Sequence, residues 1–277
     1  MKPLRQALSR RNMSMTARRL AYSLHRLAAT PLVSVNQSPV FVLGNQKCGT
    51  TAIADLLAKQ AKRSVTLDIP ALASTLPLEL IAGETSLNEV VHRNRFEFSR
   101  VIIKEPWLTF IWDDLVRLFP QARTLFIVRD PRQNARSILN RLGLPGNLDC
   151  LPETALDTMK PGWWAVFTLE CRERGETVHY VDALAHRWNR AVEAYFEHEE
   201  KTLLLRYEDF VADKTGTLRA VAEELKLPVS RNVGNLVNRQ YQPCGNRSVS
   251  PEEFFGAKNL ARLEAICAGH LEQFGYS

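Results

Sequence analysis

Residues 38–60, SPVFVLGNQKCGTTAIADLLAKQ, decide the fold because they contain an apolar strand, a glycine loop and a helical pattern in direct succession. The run VFVL at residues 40–43 is of the kind that is buried in parallel sheets. Gly44 and Gly49 can adopt positive φ and let the loop backbone approach a ligand closely. Loop amides and a helix N-terminus together form a cradle for an anion. The stretch therefore predicts a phosphate-binding loop.

The position of the loop lysine separates this loop from the best-known phosphate-binding loop. Lys47 lies two residues before Gly49, whereas the lysine of a Walker A loop directly follows the second glycine. Thr50 occupies that position here. A nucleotide-dependent kinase or NTPase with an atypical loop stays open as an alternative, and so does a catalytically inactive nucleotide-binding adaptor.

Strand and helix patterns alternate along the rest of the chain. Apolar, mostly β-branched runs cover residues 101–103, 124–128 and 202–205, and helical patterns cover residues 112–119, 132–142, 183–196 and 216–225. Such alternation predicts an α/β fold with a central parallel sheet flanked by helices. No linker divides the 277 residues. We therefore expect a single domain at residues 38–277, preceded by a basic arm at residues 1–37.

Polar residues follow each predicted strand. Lys47, Lys104, Arg129 and Tyr207 lie where the four runs end. In an open parallel sheet the ligand crevice lies outside the carboxyl ends of the strands, so we expect these residues to converge. Arginine suits a phosphate group because its planar fork donates two parallel hydrogen bonds. Ser137 would lie about two turns into the helix after Arg129.

The positive charge is concentrated at the N-terminus. The chain has a net charge of +6, and seven cationic residues but no acid lie within residues 1–31. The body is thus nearly neutral, which argues against nucleic acid as a partner. The arm fits a flexible leader, an amphipathic helix that contacts a membrane surface, or a transit peptide. No run of about 18 apolar residues predicts a spanning helix, and we expect a cytoplasmic protein.

The cysteine pattern does not predict a metal site. The chain has five cysteines without a Cys-x-x-Cys pair, at positions 48, 150, 171, 244 and 267. Wide spacing and an odd number favour free thiols in a reducing compartment. We expect no bound metal.

Three blocks of the sequence resemble signatures of the sulfotransferases that use 3′-phosphoadenosine 5′-phosphosulfate (PAPS). The first is KCGTT at residues 47–51, and the second is RDP at residues 129–131 with Ser137 eight residues after the arginine. The third is the segment that begins RYEDF, at residues 206–228. The resemblance covers roughly residues 40–250 and implies the P-loop-NTPase-like fold of that family.

The resemblance also implies which residues bind the donor. The loop would bind the 5′-phosphosulfate, Arg129 and Ser137 the 3′-phosphate, and Tyr207 the adenine. An aromatic residue that stacks on the adenine often follows the two threonines in this family, but Ala52 stands here. The implied donor-binding residues are Lys47, Cys48, Gly49, Thr50, Thr51, Arg129, Ser137, Tyr207 and, in the segment CGNRSVS, Arg247.

Sulfuryl transfer gives the unusual lysine position a chemical meaning. The oxygen that bridges sulfur and the 5′-phosphate gains negative charge as the S–O bond breaks, and Lys47 could stabilise that charge. Lys104 and Glu105 end a strand where many members carry Lys-x-His; Glu105 is the first candidate for the base and Glu84 the second. The acceptor is expected to be a carbohydrate or another polar small molecule with a hydroxyl or amine. A loop near Trp163 and Trp164 is expected to cover it.

Overall fold

The computed structural model describes residues 26, 30–174, 178–241 and 249–276. Its core is one five-stranded parallel sheet in the order β2-β3-β1-β4-β5. The strands are β1 (Val40–Leu43), β2 (Val65–Thr66), β3 (Ile102–Lys104), β4 (Arg123–Val128) and β5 (Thr202–Arg206). The predicted α/β fold with a central parallel sheet is confirmed.

Helices connect the strands and cover both faces of the sheet. In the described residues the α-helices are α1 (Thr50–Ala61), α2 (Leu76–Ile81), α3 (Leu87–Arg93), α4 (Arg95–Phe98), α5 (Trp112–Leu118), α6 (Pro131–Leu142), α7 (Glu153–Asp157), α8 (Pro161–Arg174), α9 (Tyr180–Phe196), α10 (Tyr207–Ala212), α11 (Lys214–Glu224) and α12 (Pro251–Leu271). Short 3₁₀ helices include Pro70–Leu72 and Pro106–Ile111.

Alternation along the strands divides the interior into two apolar layers. Phe41 and Leu43 of β1 point into the larger layer, whereas Val40 and Val42 point into the smaller one. Successive side chains of a strand face opposite sides of the sheet, so a strand covered on both faces is apolar throughout. Helices α5, α6, α8, α9 and α12 contribute to the larger layer, and α1 and α11 to the smaller one.

The register of the sheet places the polar turns along one edge. Gly44 directly follows β1, Glu105 follows β3, Arg129 follows β4 and Tyr207 follows β5. Val42 pairs with Lys104 and Leu43 with Phe126, so the carboxyl ends of β1, β3 and β4 lie side by side. All four turns therefore open onto the same side of the molecule.

Two segments differ from the sequence-based expectation. The irregular stretch expected around Trp163 and Trp164 is mostly helix, because residues 161–174 form α8, in which both tryptophans pack against the larger apolar layer. The two-residue strand β2 is too short to give a sequence pattern. No helix among the described residues has both the length and the apolar character needed to cross a membrane.

Candidate active site

A cleft of about 660 Å³ lies at the carboxyl ends of the strands, within the size range of ligand sites. The glycine loop, the turns after β3, β4 and β5, and helices α6 and α8 contribute to its wall. The cations in this wall outnumber the acids. The cations are Lys47, Lys104, Arg129, Arg136, Arg141, Lys160, Lys214 and Arg239, and the acids are Asp68 and Glu105. Such a wall favours an anionic ligand.

The glycine loop has a conformation that requires both of its glycines. Gly44 has φ 131° and Gly49 has φ 92°. A Cβ atom on Gly44 would lie 2.3 Å from the carbonyl oxygen of Ile127, and one on Gly49 would lie 2.5 Å from the ring of Tyr207. Lys47 also has positive φ, at 71°, which is uncommon for a residue with a side chain. The surrounding contacts must therefore hold the loop tip in place.

The N-terminus of α1 faces the cleft without a side-chain cap. Gly49 occupies the cap position in a left-handed conformation and makes no side-chain hydrogen bond to the helix. Thr50 is the first residue of the helix, and both Thr50 and Thr51 line the cleft. Uncapped amides and the positive end of the helix dipole suit a phosphate group.

Arg129 contacts the glycine loop directly. Its Nη1 donates a hydrogen bond of 3.0 Å to the carbonyl oxygen of Lys47, and its guanidinium lies 4.6 Å from the centre of the Tyr207 ring. Its Nε is buried and has no hydrogen-bond partner among the described residues. The fold thus brings together three predicted residues from three different strand ends.

Helix α6 presents one polar face to the cleft. Ser137 lines the cleft as predicted, together with Gln133 and Arg141, which lie one turn before and after it. Asp130 does not face a ligand: its side chain accepts hydrogen bonds from the amides of Arg132 and Gln133 and caps the helix. The helix therefore orients its polar face by its own N-terminal cap.

Cys48 contributes to the packing of the loop and does not line the cleft. Its side chain is buried, and burial raises the pKa of the thiol to about 12. Its Sγ accepts a hydrogen bond from Nδ2 of Asn134, and its amide donates to the carbonyl oxygen of Asn45. The predicted contact of Cys48 with the donor therefore has no support in this geometry, since its side chain and its amide both have protein partners.

Lys104 and Glu105 line the cleft at the end of β3, on the other side of β1 from Arg129. Both are 4% exposed. Lys104 Nζ lies 2.6 Å from Oδ1 of Asp68. Glu105 accepts hydrogen bonds from the amides of Ile69 (2.9 Å) and Trp107 (3.2 Å), and burial raises its pKa to about 7. Such a pKa suits a proton acceptor at neutral pH.

Glu84 and Arg247 are the remaining predicted residues. Glu84, the second candidate for the base, is exposed and does not line the cleft. It lies in the turn between α2 and α3, away from the strand ends. Arg247 lies outside the described residues.

Several lining residues could not be recognised from the sequence. Tyr241, in the segment after α11, lines the cleft, as does Ala52. Its hydroxyl donates a hydrogen bond of 2.5 Å to Oδ2 of Asp55 in α1, which holds the ring against that helix. Tyr241 is 186 residues from Asp55 in sequence, and no local motif marks the pair. Within the described residues no cluster of three or more His, Cys, Asp or Glu side chains could hold a metal ion.

A parallel sheet, a glycine loop and a cationic cleft at the strand ends define an α/β protein of the phosphate-binding-loop class. The model of the sulfotransferase domain family matches residues 37–244, so the chain belongs to this family. Similar solved structures include sulfotransferase STF9 from Mycobacterium avium (14% identity, TM-score 0.53), which aligns over 93% of this chain and 82% of that one. STF1 from Mycobacterium tuberculosis aligns over 90% and 81% (14% identity, TM-score 0.50). At these identities the two structures support the fold alone. The comparison with curated proteins gave no match.

Proposed function

We propose that this protein transfers a sulfuryl group from PAPS to a hydroxyl or amine of a neutral, polar small molecule such as a carbohydrate. The contact between Arg129 and the loop tip carries the proposal. Because Arg129 contacts the backbone of Lys47, the contact supports the binding of one nucleotide by both residues, and a donor with phosphate groups on two sides of a ribose requires such proximity. A pair of cations at opposite ends of the sheet could not bind one nucleotide.

The two phosphate positions of the donor are assigned to different elements. The uncapped N-terminus of α1, with Thr50 and Thr51, receives the 5′-phosphosulfate. Arg129 and Ser137, which both line the cleft, bind the 3′-phosphate. Charge-assisted bonds of this kind are the stronger ones in proteins.

Replacement of Arg129 by alanine is expected to weaken the binding of 3′-phosphoadenosine 5′-phosphate (PAP), the donor product, by about 10- to 100-fold, because a hydrogen bond to a charged group contributes ~1.5–3 kcal/mol. Calorimetry measures the change. Arg219→Ala, which removes an exposed arginine paired with Glu223 on α11, is the matched control and should bind PAP like the wild type. Equal affinity of Arg129→Ala and wild type would exclude the assigned contact.

The adenine has a stacking partner on a different element from the one expected. Many family members stack the adenine on an aromatic residue at the position that Ala52 occupies here. Tyr241 takes over this role, because its ring lies at the cleft wall and its hydroxyl is fixed by Asp55. Stacking of a base on an aromatic ring contributes ~1–3 kcal/mol. Tyr207, which lies between Gly49 and Arg129, then contacts the nucleotide near the loop.

Tyr241→Ala is therefore expected to raise the dissociation constant of PAP about tenfold, whereas Tyr241→Phe should leave it nearly unchanged. The phenylalanine keeps the ring and loses only the hydrogen bond to Asp55. Calorimetry with PAP and with ribose 3,5-bisphosphate, which has no base, separates the loss of stacking from the loss of the hydrogen bond to Asp55. An equal loss in both variants would assign the effect to the hydrogen bond and exclude stacking.

Proton transfer is assigned to the other end of the cleft. Glu105 lines the cleft with a pKa of about 7, so its carboxylate can take a proton from the acceptor. Lys104, the residue before Glu105, is paired with Asp68 and lines the same part of the cleft. Lys47, at the loop tip, stabilises the oxygen that leaves with the nucleotide. The cleft thus has a cation for the leaving group and a base for the acceptor.

The sheet order separates the cleft into two chemically different halves. Strands β4 and β5 lie on one side of β1, and their half contains Arg129, Arg136, Arg141, Lys214 and Arg239 without an acid. Strands β3 and β2 lie on the other side. Their half combines apolar and aromatic groups with both carboxylates of the lining.

The second half suits a neutral acceptor. Asp68 is paired with Lys104, and the remaining charges in this half are those of Glu105 and Lys160, so the half has little net charge. Trp163 lines this half with a partly exposed aromatic ring, the kind of surface on which a sugar ring packs. An acidic glycan would be repelled by Glu105 and by the phosphates of the donor, because like charges in a cleft of low dielectric interact strongly.

Two experiments test the proposed function. Calorimetry should detect PAP binding without magnesium, whereas a kinase would prefer ATP with magnesium and an inactive adaptor would bind neither. A screen with radiolabelled PAPS against neutral sugars, uronic acid glycans, phenols and simple alcohols should label the neutral sugars or polar alcohols. Absence of PAP binding would overturn the proposal, and exclusive labelling of acidic glycans would overturn the proposed acceptor.

A further inference from the structure

Arg187 of α9 is a fully buried cation next to the cleft. Its guanidinium lies between two aromatic rings, 4.1 Å from the ring centre of Trp107 and 4.0 Å from that of Phe110. Both rings belong to the 3₁₀ helix Pro106–Ile111, which begins directly after Glu105. Arg187 is therefore packed against the segment that carries the proposed base.

The same guanidinium binds the glycine loop. Its Nε donates hydrogen bonds to Oδ1 of Asn45 (3.2 Å) and Oε1 of Gln46 (3.1 Å), and its Nη2 donates to Oε1 of Gln46 (2.8 Å). These two residues directly precede Lys47 in the loop. One side chain thus connects the loop that carries Lys47 with the segment that carries Glu105.

The environment of Arg187 is costly for a charged group. Burial lowers the pKa of the guanidinium to about 9, and the charge of nearby Glu170 opposes that shift. Its Nη1 has no hydrogen-bond partner among the described residues. An apolar residue between two aromatic rings is often as stable as a buried ion or more so, so stability alone does not account for the arginine.

The loop tip needs support from outside. Lys47 has φ 71°, and a residue with a side chain keeps such a conformation only where its neighbours fix it. Asn134 holds the carbonyl oxygen of Gln46 through Nδ2 at 2.7 Å, and Arg187 holds the side chain of the same residue. Together they fix the backbone and the side chain of the residue before Lys47.

We infer that Arg187 is a positioning residue that fixes the glycine loop through Asn45 and Gln46 and holds it in register with the segment of Glu105. This inference rests on the proposed function, which assigns Lys47 to the leaving group and Glu105 to the acceptor of the same sulfuryl transfer. A transfer in line requires these sides to be held at a set separation, and an error of about 1 Å costs a large factor in rate.

A double-mutant cycle on PAP binding tests the inference. Arg187→Lys keeps a cation between the rings but loses the fork that reaches Asn45 and Gln46, and Gln46→Met removes the acceptor oxygen from the loop. Each single variant is expected to raise the dissociation constant of PAP about tenfold, equivalent to about 1.4 kcal/mol. Because Gln46→Met breaks a contact that Arg187→Lys also removes, the double variant should bind PAP no more weakly than Arg187→Lys alone.

A second readout separates positioning from a purely structural role. At saturating PAPS, Arg187→Lys is expected to lower kcat by at least tenfold with little change in the KM of the acceptor, while unfolding in urea shows that the variant is folded. Arg262→Lys is the matched control: it changes a paired arginine that contacts Asp182 of the same helix α9, and it should bind PAP like the wild type.

The outcomes distinguish the inference from the proposed function. A wild type that did not bind PAP would overturn both. A wild type that binds PAP, with single variants that bind equally well or with effects that add in the double variant, would overturn the inference alone. If Arg187→Lys failed to fold, Gln46→Met would still decide, because wild-type affinity in that variant contradicts the role of the contact.

Discussion

Replacement of Lys47 by methionine is expected to lower kcat by about 10²- to 10³-fold, the loss typical for removal of one group that stabilises transition-state charge. Methionine keeps the length and most of the volume of the side chain but has no charge. The bridging oxygen gains negative charge only as the bond to sulfur breaks, so the lost interaction is made mainly in the transition state. The dissociation constant of PAP should change much less, because the helix N-terminus and Arg129 remain in place.

Initial rates with labelled PAPS and calorimetry with PAP measure the two quantities. Lys226→Met is a matched control, since Lys226 is an exposed lysine that also has positive φ, at 49°, and it lies at the end of α11 outside the cleft. It should leave kcat and PAP affinity unchanged. An unchanged kcat in Lys47→Met would remove Lys47 from the mechanism.

The sequence predicts those site residues that lie in the same short segment as a recognisable strand, loop or helix. The loop between residues 44 and 49 follows an apolar strand and precedes a helix, and this order alone determines where a phosphate can bind. Lys104, Arg129 and Tyr207 could be placed because each follows an apolar run, and parallel strands end at one edge. The positions of the apolar runs are therefore sufficient to predict the cleft, without knowledge of any contact between the turns.

The residues that the sequence does not predict depend on contacts across long separations. Tyr241 is held by Asp55, and Arg187 binds Gln46, and neither pair shares a local pattern. Arg187 lies on an amphipathic helix, where a cation ordinarily faces solvent, yet it is fully buried. Cys48 differs in the other direction: it lies within the signature KCGTT, yet its side chain is buried and does not line the cleft.

Glu105→Gln is expected to lower kcat by about 10²- to 10⁴-fold, the contribution of a positioned general base. Glutamine keeps the shape of the side chain but cannot take a proton. In the wild type, kcat/KM should rise with pH through about 7, the pKa of Glu105, because the base acts only when it is ionised. Glu84→Gln is the matched control and should leave both the rate and its pH profile unchanged, since Glu84 is exposed and outside the cleft.

The same pKa makes a prediction about stability that needs no acceptor. Glu105 has a pKa of about 7 in the folded protein, against 4.5 for an ordinary glutamate, so the folded state binds the proton more tightly than the unfolded state. Its contribution to the free energy of unfolding is therefore full below pH 4.5 and falls by about 3 kcal/mol as pH rises to about 7. Urea unfolding at pH 5 and pH 8 should show this loss in the wild type and in Glu84→Gln, but not in Glu105→Gln. An equal loss in Glu105→Gln and the wild type would mean that the pH dependence does not come from Glu105. The carboxylate of Glu105 would then be ionised already at pH 5, and its pKa would not suit a base near neutral pH.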